Sequence, residues 1–92
     1  MLSEEEQIKL GARLLGISYE NAQKYSTKIE NSDAIYLSIP VKGGDSLIIG
    51  ADGQVLYAIS AVGFDEHLKA YNEGKRTPLE AFDSYAKEGT NN

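Results

Sequence analysis

Ala34-Ile35-Tyr36-Leu37-Ser38-Ile39-Pro40-Val41 opens the stretch that decides the fold. Ile35, Leu37, Ile39 and Val41 alternate with Ala34, Tyr36, Ser38 and Pro40, which is the spacing of a strand rather than a helix. Pro40 has no N–H for a ladder, so it predicts an edge strand or a strand end. Gly43-Gly44 supplies a turn, Ser46 to Gly50 reads as a second strand, and Asp52-Gly53 turns the chain into a third through Gln54-Val55-Leu56-Tyr57-Ala58-Ile59-Ser60. The simplest arrangement is a three-stranded antiparallel meander. A half-solvated strand is polar at alternate positions, and Leu47-Ile48-Ile49 is not. Val55, Tyr57 and Ile59 fall on one face of the third strand and Leu56 and Ala58 on the other. Both faces therefore need cover, from helices divided between them or from a partner, with the division preferred.

Helical patterns flank this core on both sides. Ser3 and Glu6 stand at capping-box spacing. Ile8, Ala12 and Leu15 form one stripe beside Leu10, Leu14 and Ile17, and Gly16 offers a positive-φ stop, which predicts a helix over 3–15. Ser18 caps a short second helix carrying Tyr19, Ala22 and Tyr25, which breaks at Ser26-Thr27. After Gly63, Phe64, Leu68 and Tyr71 share a face up to a stop at Gly74. Thr77-Pro78-Leu79-Glu80 then starts a fourth helix, over 78–87, with Leu79, Phe82 and Ala86 as its stripe. The expected order is ααβββαα, an α+β fold in one domain over 1–89, with 90–92 a polar tail.

Composition removes much chemistry. The chain has 92 residues, no cysteine and one histidine, which excludes disulfide scaffolds, cysteine-based metal sites, thiol nucleophiles and any two-histidine site within one chain. Asp45, Asp52 and Asp65 lack calcium-loop spacing, so neither a metal nor a cofactor is expected. The opening Glu4-Glu5-Glu6 is unlike a basic leader, and no apolar run is long enough to span a bilayer, so a soluble, cytoplasmic protein without membrane attachment is expected. Lys and Arg number 9 against 14 Asp and Glu, a net charge of −5 that repels phosphate backbones and favours neutral or basic partners.

Lys75-Arg76-Thr77 is the candidate anion site, for a small anionic metabolite or nucleotide. It is the one place where adjacent bases meet a predicted helix start, whose N–H groups and dipole attract anions; the competing reading is a solvated loop with Thr77 as cap. Gly43-Gly44-Asp45-Ser46 leads into a strand, not a helix, and so reads as a hairpin turn rather than a phosphate loop. His67 alone has an ordinary pKa near neutrality, yet it falls at the margin of the Phe64, Leu68 and Tyr71 stripe, where a half-buried structural histidine is expected. Ser46 and Ser60 have no neighbouring base in the sequence, so enzymatic activity is not expected.

Gly11-Ala12-Arg13-Leu14-Leu15-Gly16-Ile17-Ser18 followed by Tyr19 to Tyr25 resembles the helix-turn-helix of small bacterial DNA-binding proteins, with Ala12, Gly16 and Ile17 at its packing positions. The resemblance, over residues 12–25, implies that Tyr19, Glu20, Asn21, Gln23 and Lys24 face the major groove. Residues 1–33 carry six acids (Glu4, Glu5, Glu6, Glu20, Glu30, Asp33) against four bases (Lys9, Arg13, Lys24, Lys28), the wrong sign for positioning on phosphates. Nucleic acid is accordingly a disfavoured partner. The leading expectation is a non-enzymatic protein-interaction module that uses Tyr36 and Tyr57, two of six tyrosines, with a basic protein such as a toxin or nuclease, or a second copy in a homodimer, as partner.

Overall fold

In the computed structural model, which describes residues 1–40 and 44–82, the central sheet has four strands rather than three. They are β1 (Ser26–Lys28), β2 (Ile35–Ser38), β3 (Ser46–Ile49) and β4 (Val55–Ala58), all antiparallel and in sequential order. The extra strand is the segment expected only to break the second helix. Its three residues carry no apolar alternation, and what makes it a strand is backbone pairing of Ser26 with Leu37 and Lys28 with Ile35. β2 is thereby interior, so the edge-strand reading of Pro40 is corrected: Pro40 lies beyond the strand's last residue, where its missing N–H costs no ladder bond. β4 ends at Ala58, short of the predicted Ser60. Gly43 of the predicted turn, the predicted helix beyond residue 82 and the polar tail lie outside the described residues.

Register decides which side chains share a face. Ile35, Ile49 and Val55 stand in one row and Leu37, Leu47 and Tyr57 in the next of the same face. Tyr36, Ile48 and Leu56, then Ser38, Ser46 and Ala58, form the rows of the opposite face. All four residues of β3 are buried, as a strand covered on both sides requires.

The helices divide between the two faces. α1 (Glu4–Leu15) and α2 (Tyr19–Lys24) cover the first, where Ile8, Ala12 and Ala22 join Ile35, Leu37, Leu47, Ile49 and Val55 in the larger core. α1 begins with the complete capping box of Ser3 and Glu6 and ends at Gly16, whose φ of 69° no β-carbon opposes. Gly11 brings α1 close to the sheet: a β-carbon there would lie 2.7 Å from Ile49 Cδ1 and 2.8 Å from Leu37 Cδ2. α3 (Phe64–Asn72) covers the second face, with Ile29, Ala34, Ile48 and Tyr71 as the smaller core and Tyr36, Leu56 and Leu68 packed on it. A fourth helix opens at 79–82. None of the described helices is long and apolar enough to cross a membrane.

α3 is turned about its axis from the predicted orientation. His67 and Tyr71 are its buried residues, His67 only 1% exposed, whereas Phe64 is 38% exposed. The expected margin position of His67 is thus corrected to the core. The carbonyl of Leu56 explains it, accepting from Nε2 at 2.7 Å, because a polar ring gains a buried site when its donor is matched.

Candidate protein-binding site

Between Asp52 and Asp65 the chain carries no charged residue, and the second half of that run reaches the surface. After β4 the Val62 N–H donates to the Ile59 carbonyl at 3.0 Å, closing a turn, and Gly63 leads in extended conformation into α3. The connection leaves Ile59 55% exposed and Phe64 38% exposed, two large apolar side chains within six residues. Surface loops of this length are ordinarily polar, so an uncharged one bearing Ile and Phe is the informative exception.

Tyr36 joins this surface from the sheet. Its ring meets Phe64 edge-on at 4.7 Å between centroids and His67 at 5.8 Å. Such edge contacts fix ring orientation as well as burying area. The Tyr36 hydroxyl reaches Ser46 Oγ at 3.5 Å, and Ser46 Oγ lies 3.4 Å from Ser38 Oγ, a row of hydroxyls along the same face. Asp65 and Glu66 follow in the exposed first turn of α3, and neither forms an ion pair among the described residues. The result is an aromatic and aliphatic centre with an acidic margin.

Tyr57 is elsewhere. It faces the larger core, its hydroxyl donates to Asp45 Oδ1 at 2.6 Å, and its ring meets Phe82 edge-on at 6.0 Å. Leu14, Leu15, Thr77 and Ala81 complete a recess of about 240 Å³ around it. Tyr36 and Tyr57 therefore sit on opposite faces of the sheet and do not make one surface.

The Lys75-Arg76-Thr77 segment is tied into the fold at each residue. Thr77 N–H donates to the Val55 carbonyl at 2.8 Å and its hydroxyl oxygen accepts from Tyr57 N–H at 2.9 Å, so the segment closes the β4 edge. Arg76 Nη1 donates to the carbonyls of Tyr71 at 2.8 Å and Lys75 at 2.7 Å, and its guanidinium lies 3.7 Å from the Tyr71 ring centroid. Lys75 pairs with Glu73 at 3.8 Å. The three residues are brought together, with Arg76 directed at the end of α3 and Thr77 at the sheet.

In the segment that resembles a helix-turn-helix, Ala22 is fully buried and Ile17, Tyr19 and Tyr25 pack on the larger core. α2 has six residues, after which the chain enters β1 through Tyr25. Glu20, Asn21, Gln23 and Lys24 are exposed on it.

Among the described residues no group of three or more His, Asp or Glu side chains converges to hold a metal ion. No protein-family model, curated protein or solved structure matches the chain. Alternation in the sequence puts Ile59 inside a strand and Phe64 on a buried face, whereas β4 ends at Ala58 and both side chains are exposed. The signal available was the absence of charge from Gly53 to Phe64.

Proposed function

We propose that the chain is a small, acidic, non-enzymatic protein-interaction module whose binding surface is the Ile59–Phe64 loop together with Tyr36, and whose partner is a basic protein. The exposure of Ile59 and Phe64 in an uncharged loop carries the reading. Exposed aromatic and aliphatic side chains that pack into a partner supply most of an interface's binding energy, and charges at the rim supply encounter rate and selectivity. Asp65 and Glu66, with the net charge of −5, set the sign of the partner. The anion-binding alternative at Lys75, Arg76 and Thr77 has less support, because Arg76 Nη1 donates to two backbone carbonyls and Lys75 pairs with Glu73.

The test is a photo-crosslinking amino acid placed at Ile59 of the full chain in its host cell, with the same group at Glu20 as the surface control. A partner captured only from Ile59 is then purified and titrated with the wild type and with Ile59→Ser and Phe64→Ser. The expected result is a basic protein whose affinity falls on the order of tenfold or more in each variant and weakens with added salt. Equal capture from both positions, or undiminished binding by both variants, overturns the proposal.

A further inference from the structure

We propose that His67 makes this binding surface acid-labile: proton uptake at its Nδ1 loosens the seat of α3 on the sheet and with it the Tyr36 and Phe64 pair. The inference concerns the regulation of the surface and rests on the reading above for its significance. Its physical content stands on the ring itself.

A carbonyl oxygen only accepts, so the 2.7 Å contact with Leu56 places the hydrogen on Nε2. The neutral ring then carries a bare lone pair at Nδ1, and that atom is buried without a hydrogen-bond partner. An added proton would create an N–H at Nδ1 and a full positive charge in a residue 1% exposed, with no acceptor in place. Little in the surroundings offsets that charge. β2 contributes the Tyr36 ring, β3 presents no ionisable side chain, and Tyr57 of β4 faces away, leaving the Leu56 carbonyl. On α3 itself Asp65, Glu66 and Lys69 are exposed, and Tyr71 packs under Arg76.

Burial accordingly pushes His67 below its ordinary 6.5, against a smaller upward pull from the Leu56 carbonyl. With the seated value depressed, the unseated helix binds more protons over the interval between the two values. Seating is fully favoured above about pH 6.5 and weakens as pH falls below it, by up to about tenfold in the opening constant per pH unit. Phe64 lies one turn before His67 on the same helix, and Tyr36 touches both rings, so the contact surface goes with the helix. α1 and α2 occupy the opposite face, in the larger core.

The experiment uses the full chain alone, with no partner. The His67 ring ¹⁵N shifts and the hydrogen exchange of backbone amides, corrected for intrinsic rate, are followed from about pH 7.5 to about pH 5. The expected result is an Nε2–H ring at neutral pH and a rise in opening of α3 amides, approaching about tenfold per pH unit on acidification, while Ile8, Ala12 and Leu47 to Ile49 stay protected. In His67→Gln, whose amide can still donate to Leu56, the α3 response should vanish. Protonation without α3 opening, uniform loss across both faces, or an unchanged response in His67→Gln overturns the proposal. If that variant does not fold, the wild-type ring shifts and exchange profile decide alone. Failure here leaves the Ile59 and Phe64 binding test untouched, and failure of the binding test leaves this measurement intact.

Discussion

The side-chain amide of Gln7 donates to the main-chain carbonyl of Ile49 across 2.8 Å. The same nitrogen reaches the Asp33 carbonyl, also at 2.8 Å, so one side chain of α1 matches an acceptor at the end of β3 and another just before β2. Gln7 is 2% exposed; its bond to Ile49 is buried and its bond to Asp33 part-buried. Gln7→Leu keeps roughly the volume and strands two acceptors, which should cost about 2–4 kcal/mol. Urea unfolding followed by circular dichroism reads this; a change under 1 kcal/mol would show the carbonyls to be satisfied otherwise.

Gly11 gives the complementary prediction for packing. Alanine gains about 1 kcal/mol of helix propensity but pushes a β-carbon into the terminal methyls of Ile49 and Leu37, both fully buried. Gly11→Ala should be close to neutral or mildly destabilising, and Gly11→Val should lose about 2 kcal/mol or more. Equal stability of the valine variant would mean that α1 can ride outward from the sheet.

Local signals explain what the sequence shows and tertiary ones what it hides. Ser3 and Glu6 announce α1 because capping is a contact between near neighbours, and Leu47-Ile48-Ile49 announces two covered faces because no solvated strand tolerates it. β1 leaves no such trace, since Ser26, Thr27 and Lys28 are held by backbone bonds to a distant strand. Gln7 looks like a surface residue and His67 like a half-buried one until the carbonyls of Ile49 and Leu56 are placed beside them. The α3 stripe was ambiguous: Phe64, Leu68 and Tyr71 describe one face, His67 and Tyr71 its neighbour, and the Leu56 carbonyl selects the second. Ile59 and Phe64 were legible as a gap in charge, but only a strand ending at Ala58 turns that gap into a surface.

Arg76 separates a structural role from an anion site. Its guanidinium stacks on Tyr71 and Nη1 closes the end of α3, a geometry a planar fork provides and an ammonium does not. Arg76→Lys should therefore cost about 1–2 kcal/mol of stability at constant charge, whereas Lys75→Ala, at an exposed residue, should stay within about 0.5 kcal/mol. Thermal melts of the two variants check this, and equal, negligible effects would return both bases to the solvated loop and reopen the anion reading.

Ile59 and Phe64 should behave unlike core residues. Ile59 is 55% exposed, so Ile59→Ser should move the unfolding free energy by no more than about 0.5 kcal/mol. Phe64→Ser gives up an edge contact with Tyr36 and should cost about 1 kcal/mol, well short of the about 3–5 kcal/mol that a buried phenylalanine loses on truncation. Both variants should lower any concentration-dependent rise in mass seen by sedimentation, since the same apolar pair offers itself to a second copy. Denaturant titration at one pH, above the histidine's range, separates the two cases. A loss of several kcal/mol at Ile59 would make the loop a piece of the core and remove the reason for reading it as a binding surface.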